Sequence, residues 1–164
     1  MAERSLEVVI EIPKGSRNKY EFDHASGAIK LDRFLFSSVV YPTDYGFIPD
    51  TLGQDGDPLD VMCCVSEPTF PGCLIEAKPI ALFRMEDDKG IDDKVLCVPL
   101  TDPGWNSLET LDDLPNQLRD EIAHFFSIYK DLEQKQGTVD GWYSREDAWR
   151  EIEASRERCR EHRA

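Results

Sequence analysis

Asp55-Gly56-Asp57-Pro58-Leu59-Asp60 places three carboxylates within six residues, with Gly and Pro shaping a tight turn ahead of an apolar run. Ionised carboxylates this close repel one another and cost stability unless cations or donors neutralise them. A hard, oxygen-seeking ion such as Mg²⁺ is the natural partner. A lone D-x-D is read more plainly as a solvated acidic turn. An EF-hand does not fit, because Leu59 and Asp60 replace its acidic residue and glycine and Ser66 stands where its glutamate belongs. A second acidic group, Glu86-Asp87-Asp88 and Asp92-Asp93, is followed by Lys94; alone it reads as a solvated hairpin tip. A third element is Glu11 followed by Lys19-Tyr20-Glu21. Strand alternation there would point a cation-binding carboxylate and a phosphate-binding ammonium the same way. Arg33, Tyr41 and Tyr45 follow, and Tyr129-Lys130 lies on a helical run.

The elements that must position these groups divide the chain in two. Leu6, Val8, Ile10 and Ile12 alternate with Glu7, Val9 and Glu11, which predicts a strand ended by Pro13-Lys14-Gly15-Ser16. Lys19 to Phe22 and Ala28 to Leu31 flank a turn at 23–27, a hairpin. Further strands are expected at Leu59–Val65, Leu74–Phe83 and Lys94–Pro99, with loops at 50–58 and 86–93. From Leu114-Pro115 the period changes. Leu118, Ile122, Phe125, Phe126, Tyr129 and Leu132 make one helix face, with Gly137 as its stop. Ser144 and Asp147 form a capping box for a second helix carrying Trp149 and Ile152. Short strands followed by two helices imply a mainly β, α+β chain: a closed or nearly closed barrel with helices packed outside. At 164 residues one domain, 1–164, is expected.

The formal net charge is −14, from 33 acidic and 19 basic residues. A surface that negative repels a phosphate backbone, so nucleic acid is a poor partner. Five cysteines, an odd number without a C-x-x-C pair, suggest neither a disulfide framework nor zinc. Cys63, Cys64 and Cys97 lie in apolar runs as small core residues, which fits a reducing compartment. No signal peptide or membrane span is visible, and a cytoplasmic location is expected.

Taken together and in order, Glu11-Ile12-Pro13, Lys19-Tyr20-Glu21, Asp32-Arg33, Tyr41-Pro42, Tyr45-Gly46, Asp55-Gly56-Asp57-Pro58-Leu59-Asp60-Val61, Asp92-Asp93-Lys94 and His124-Phe125-Phe126 through Tyr129-Lys130-Asp131-Leu132-Glu133 resemble the family I soluble inorganic pyrophosphatases. The resemblance runs from about residue 8 to about 150, and the D-G-D-P-x-D-V string is its most specific part. It implies a five-stranded OB-like β-barrel with two flanking helices, and hydrolysis of pyrophosphate to two phosphates. By the same resemblance several Mg²⁺ ions act per site. Asp55, Asp60 and Asp92 hold the activating ion, and Glu11, Glu21 and Asp87 serve others. Asp57 matches the general base. Lys19, Arg33, Tyr45, Lys94, Tyr129 and Lys130 match the phosphate-binding set, and Tyr41 lines the cavity. Asp87 and Asp92 are favoured over Asp88 and Asp93 by the family's spacing to Lys94. The family's bacterial members imply a homohexamer. His24, in the turn close to Glu21, reads first as a surface turn residue and second as a metal-side one, and His124 is equally an interface or helix-surface residue. Rival readings are another Mg²⁺-dependent phosphohydrolase and an OB-type binding module, disfavoured by the missing basic track and the acidic balance, and a Ca²⁺-binding structural protein, disfavoured by the failed EF-hand spacing and the Lys/Arg/Tyr set.

Overall fold

The alternating apolar residues of the first segment form β1 (Leu6–Ile12), in which Leu6, Val8, Ile10 and Ile12 are all buried. In this computed structural model, which describes residues 4–129 and 137–163, it is followed by β2 (Asn18–Asp23), β3 (Ala28–Phe34), β4 (Asp44–Phe47), β5 (Asp60–Cys63), β6 (Leu74–Asp87) and β7 (Gly90–Pro99). Then come α1 (Asn116–Ile128), β8 (Gly137–Tyr143) and α2 (Arg145–Arg163). Strands β1, β4, β5, β7 and β6 pair in that order, and β6 pairs back onto β1, so five strands close into a ring. All neighbours are antiparallel except β5 and β7. This is the OB-like barrel that the resemblance implies, with the β2–β3 hairpin outside it and β8 added beside the distal half of β6.

Two cores flank the barrel wall. Alternation sends Val61, Cys63, Val95 and Cys97 to one side, where they meet Ala148 and Ile152 of α2. Met62 and Leu96 go to the other side, with Ile122, Phe125 and Phe126 of α1. β1 changes sides: Val8 and Ile10 belong to the first core and Ile12 to the second. Its pairing with β4 slips between Ile10 and Ile12, so Glu11 is the extra residue of a bulge. The bulge frees Glu11 from simple alternation. Opposite it, Gly46 lets β4 approach β1 closely; a Cβ there would lie 1.8 Å from the carbonyl oxygen of Val9.

The structure departs from the sequence expectations in three places. β4 was not anticipated, because Asp44 to Phe47 is four residues long and buried throughout, with no alternation to read. The 86–93 segment is not an open loop: β6 runs to Asp87, β7 starts at Gly90, and the acidic cluster lies on a tight hairpin. Gly137 does not stop a helix. α1 ends at Ile128, capped by Tyr129, and Gly137 opens β8; Leu132 lies outside the described residues. The cap of α2 is as expected, with the Asp147 N–H donating to Ser144 Oγ at 3.1 Å. Among the described residues no helix is long and apolar enough to cross a membrane.

Candidate active site

The open end of the barrel, the β2–β3 hairpin, the 50–58 loop and the β6–β7 hairpin enclose a cavity of about 1090 Å³. Every proposed site residue that the structure describes lines it: Glu11, Lys19, Glu21, Arg33, Tyr41, Tyr45, Asp55, Asp57, Asp60, Asp87, Asp92, Lys94 and Tyr129. Lys130 lies outside the described residues.

The acidic loop is held by its backbone. Buried Thr51 donates through Oγ1 to the Ile48 carbonyl at 2.6 Å and accepts from the Leu59 N–H at 2.9 Å, pinning both ends. The Gly53 N–H donates to the Asp57 carbonyl at 2.6 Å, and Gly56 takes φ +92°, a region costly for any residue with a Cβ. Asp55 accepts the Asp57 N–H at 3.1 Å. α2 braces the loop from behind: the Leu52 N–H donates to the Ser155 carbonyl at 2.9 Å, and Arg158 Nε to the Leu52 carbonyl at 2.8 Å. Asp55 and Asp57 are thereby presented at the loop tip, Asp57 63% exposed.

Asp60 opens β5 directly opposite Lys94 of β7. The Lys94 ammonium is 1% exposed and donates to Tyr45 Oη at 2.7 Å, Asp60 Oδ2 at 3.1 Å and Asp92 at 3.2 and 3.3 Å. Alternation along β7 turns Asp93 away, where its buried carboxylate pairs with Arg84 at 2.7 and 2.9 Å. Asp92 therefore faces the cavity and Asp93 does not. Asp87 and Asp88 both line the cavity. Glu11 accepts the Phe22 N–H at 2.7 Å, tying the β2–β3 hairpin to the barrel. Lys19 pairs with Asp32 at 3.1 Å. Tyr41 is packed against Phe125 and Tyr45, at ring separations of 4.7 and 5.5 Å, and Tyr129 stacks on Phe125 at 5.3 Å.

Burial dominates the acid–base character of these groups. It pushes Glu11 up to about 7, with the nearby charges of Asp60 and Glu21 adding to the rise. Burial also raises Asp60, helped by Asp92, and raises Asp55. The Tyr41 and Tyr45 hydroxyls are held above their usual range, and Tyr129 at about 12, again by burial.

Sequence reasoning missed several wall residues. Lys89, at the hairpin tip, comes within 3.9 Å of Asp57, and Asp32, Glu86 and Phe47 also line the cavity. His24 is exposed in its turn, as expected, yet it too borders the cavity, edge-on to Phe22 at 4.8 Å and 5.5 Å from Phe47. A basic residue in a tight acidic hairpin was the available signal for Lys89, and the position of His24 in the turn close to Glu21 was the signal for that residue; none marked Phe47. His124 is exposed on α1.

A sequence profile described as "Inorganic pyrophosphatase" matches residues 8–160. The chain belongs to the inorganic pyrophosphatase family. Its relatives bear this out at both levels. An inorganic pyrophosphatase of Methanosarcina mazei is 54% identical over 164 residues, 99% of this chain and 97% of that one. One from Streptomyces coelicolor is 55% identical over 158 residues, 95% and 96% of the two chains. The crystal structure of the Thermus thermophilus inorganic pyrophosphatase superposes with a TM-score of 0.93 at 43% identity, over 97% of this chain and 93% of that one. Family membership makes the chain an enzyme, a hydrolase of the inorganic diphosphatase class, and it does not favour the binding-module reading.

A pyrophosphatase cavity of this kind must be compatible with cations. Among the described residues no group of three or more His, Cys, Asp or Glu side chains is placed closely enough to hold one metal ion. The chemistry of the donors nonetheless fits a hard divalent ion: they are carboxylate oxygens, and burial together with mutual repulsion makes their charge costly, a cost that a cation would offset.

Proposed function

We propose that the chain hydrolyses inorganic pyrophosphate to two orthophosphates in this cavity, using several Mg²⁺ ions. The observation that carries the reading is the facing of carboxylates (Asp55, Asp60, Asp92, with Glu11, Glu21 and Asp87) and cations (Lys19, Arg33, Lys94) across one cavity of a −14 protein. The carboxylates would hold Mg²⁺, which supplies charge neutralisation of the diphosphate oxygens and acidifies water near them. Asp57, at the exposed loop tip, takes the proton from the attacking water. Lys19, Arg33 and Lys94, with Lys130 from the segment after α1, grip the phosphoryl oxygens, Arg33 through its planar fork. Tyr45 and Tyr129 stay protonated and donate hydrogen bonds to the substrate, while Tyr41 packs behind them. The chemistry left to the protein is positioning and electrostatic stabilisation of transferring phosphoryl charge.

The same reading takes residues 1–164 as one catalytic domain, working in the cytoplasm and assembling as a homohexamer. The test is phosphate release from pyrophosphate and from p-nitrophenyl phosphate, each with Mg²⁺ and with chelator. Fast release from pyrophosphate alone, lost in chelator, is expected. Preference for the monoester would sink the assignment.

A further inference from the structure

Lys94 presents a conflict. As a phosphate-binding residue it should offer N–H groups to substrate, yet an ammonium has three donors, and here they go to Tyr45, Asp60 and Asp92. The same Asp60 and Asp92 are the carboxylates proposed above to hold a cation. Lys94 thus occupies the coordination that the cation needs, and the carboxylates occupy the donors that the phosphate needs.

The surroundings show that this arrangement is built rather than incidental. The ammonium is 1% exposed, between the rings of Tyr45 and Phe126 at 5.1 and 5.0 Å. Tyr45, which accepts from Lys94, is itself buried. The parallel pairing Asp60↔Lys94 fixes the two backbones in register. Without the ammonium, the buried Asp92 and the partly buried Asp60 carboxylates would face each other uncompensated.

We infer that Lys94 is the internal counter-ion of the Asp60–Asp92 pair and couples cation binding to phosphate binding. Resting on the proposed cation site, the inference runs in one order. While Lys94 neutralises the pair, the site is preorganised but its lysine is unavailable to substrate. Once Asp60 and Asp92 are given to a cation, like-charge repulsion turns the ammonium out of their grip, and its freed N–H groups reach phosphoryl oxygens. Lys94 therefore lowers the affinity for cation alone and raises the affinity for pyrophosphate only afterwards.

Three measurements without substrate test this. Calorimetric titration of Mg²⁺ into wild type and Lys94→Met should show the first ion bound about ten-fold or more tightly by the variant, within the range of ordinary site couplings. The variant should also melt lower than wild type in chelator, and Mg²⁺ should close that gap. In wild type labelled with ¹⁵N-lysine, a shielded ammonium resonance seen in chelator should move or vanish when Mg²⁺ binds, before any pyrophosphate is added. Equal or weaker Mg²⁺ binding by folded Lys94→Met, or an unchanged resonance in the Mg²⁺-loaded wild type, overturns the counter-ion role. The resonance decides the matter if the variant does not fold. Absence of Mg²⁺ binding heat in wild type overturns the cation site itself, and this inference with it.

Discussion

Arg84→Met should destabilise the cation-free protein by about 2–3 kcal/mol, for a reason visible in the β6–β7 pairing. Asp93, directly opposite Arg84, has a carboxylate only 2% exposed, and the guanidinium meets both its oxygens at 2.7 and 2.9 Å. Breaking a buried ion pair by removing one partner typically costs about 3–5 kcal/mol, because the other charge is left unpaired. Arg84 is 29% exposed, so part of its charge is already screened by water and the lower figure is appropriate. For a chain of this length, each kcal/mol lowers the melting temperature by about 2–4 °C, giving a drop of roughly 4–12 °C. Urea denaturation and thermal melts in chelator at neutral pH measure it. The double variant Arg84→Met with Asp93→Val removes the stranded carboxylate and should recover at least about 1 kcal/mol over the single one, as expected for partners in direct contact. A loss under about 0.5 kcal/mol for Arg84→Met, or a double variant as unstable as the sum of the two single ones, would show that the buried pair does not carry this stability. The pair matters to the site because its partners occupy the face of the hairpin opposite Asp92 and Lys94.

Stability should also respond to pH. Glu11 is held near about 7 in the folded protein and Asp60 is raised with it, whereas an unfolded chain releases these protons near about 4. The folded state binds more protons between those values, so the cation-free protein should lose stability as pH rises from about 4.5 to about 7 and then level off. Urea melts in chelator at pH 5.5 and 8 check this; a rising trend over that interval contradicts the burial argument. Thr51→Val should cost about 1–3 kcal/mol, since it leaves the Leu59 N–H unsatisfied inside the fold. It should also loosen the Asp55–Asp57 loop, so turnover should fall by more than the loss of folded protein explains; unchanged turnover and melting temperature would show that the clamp is dispensable.

The sequence carried these elements unequally. β1 was legible because its apolar residues alternate cleanly, and so was the β2–β3 hairpin, bracketed by Asp23 and Gly27. The cap of α2 was legible because capping is a local contact. β4 was not, since a strand buried on both faces carries no periodic signal. Neither was β8: Gly137-Thr138 reads as a helix exit, and its strand character comes only from pairing with β6. Within the site, residue identity was readable along short motifs, but the partnerships were not. Asp92 and Asp93 are chemically alike; the family's spacing to Lys94 favours Asp92, and the physical reason lies in the β6–β7 register, which turns Asp92 to the cavity and Asp93 to Arg84. Glu11 points to the cavity through a bulge that alternation cannot foresee. The hold of Lys94 on Asp60 and Asp92 spans two parallel strands, 34 positions apart in the first case.

In the proposed reaction this cavity splits pyrophosphate with Asp57 receiving the proton of the attacking water. Phosphate release from pyrophosphate by wild type and Asp57→Asn, each saturated with Mg²⁺, tests it most directly. Mg²⁺-dependent release by wild type is expected, with a loss of about 10²-fold or more in the variant, its melting temperature and Mg²⁺ binding retained. Release at the wild-type rate by Asp57→Asn, or none from folded, Mg²⁺-loaded wild type, would contradict it.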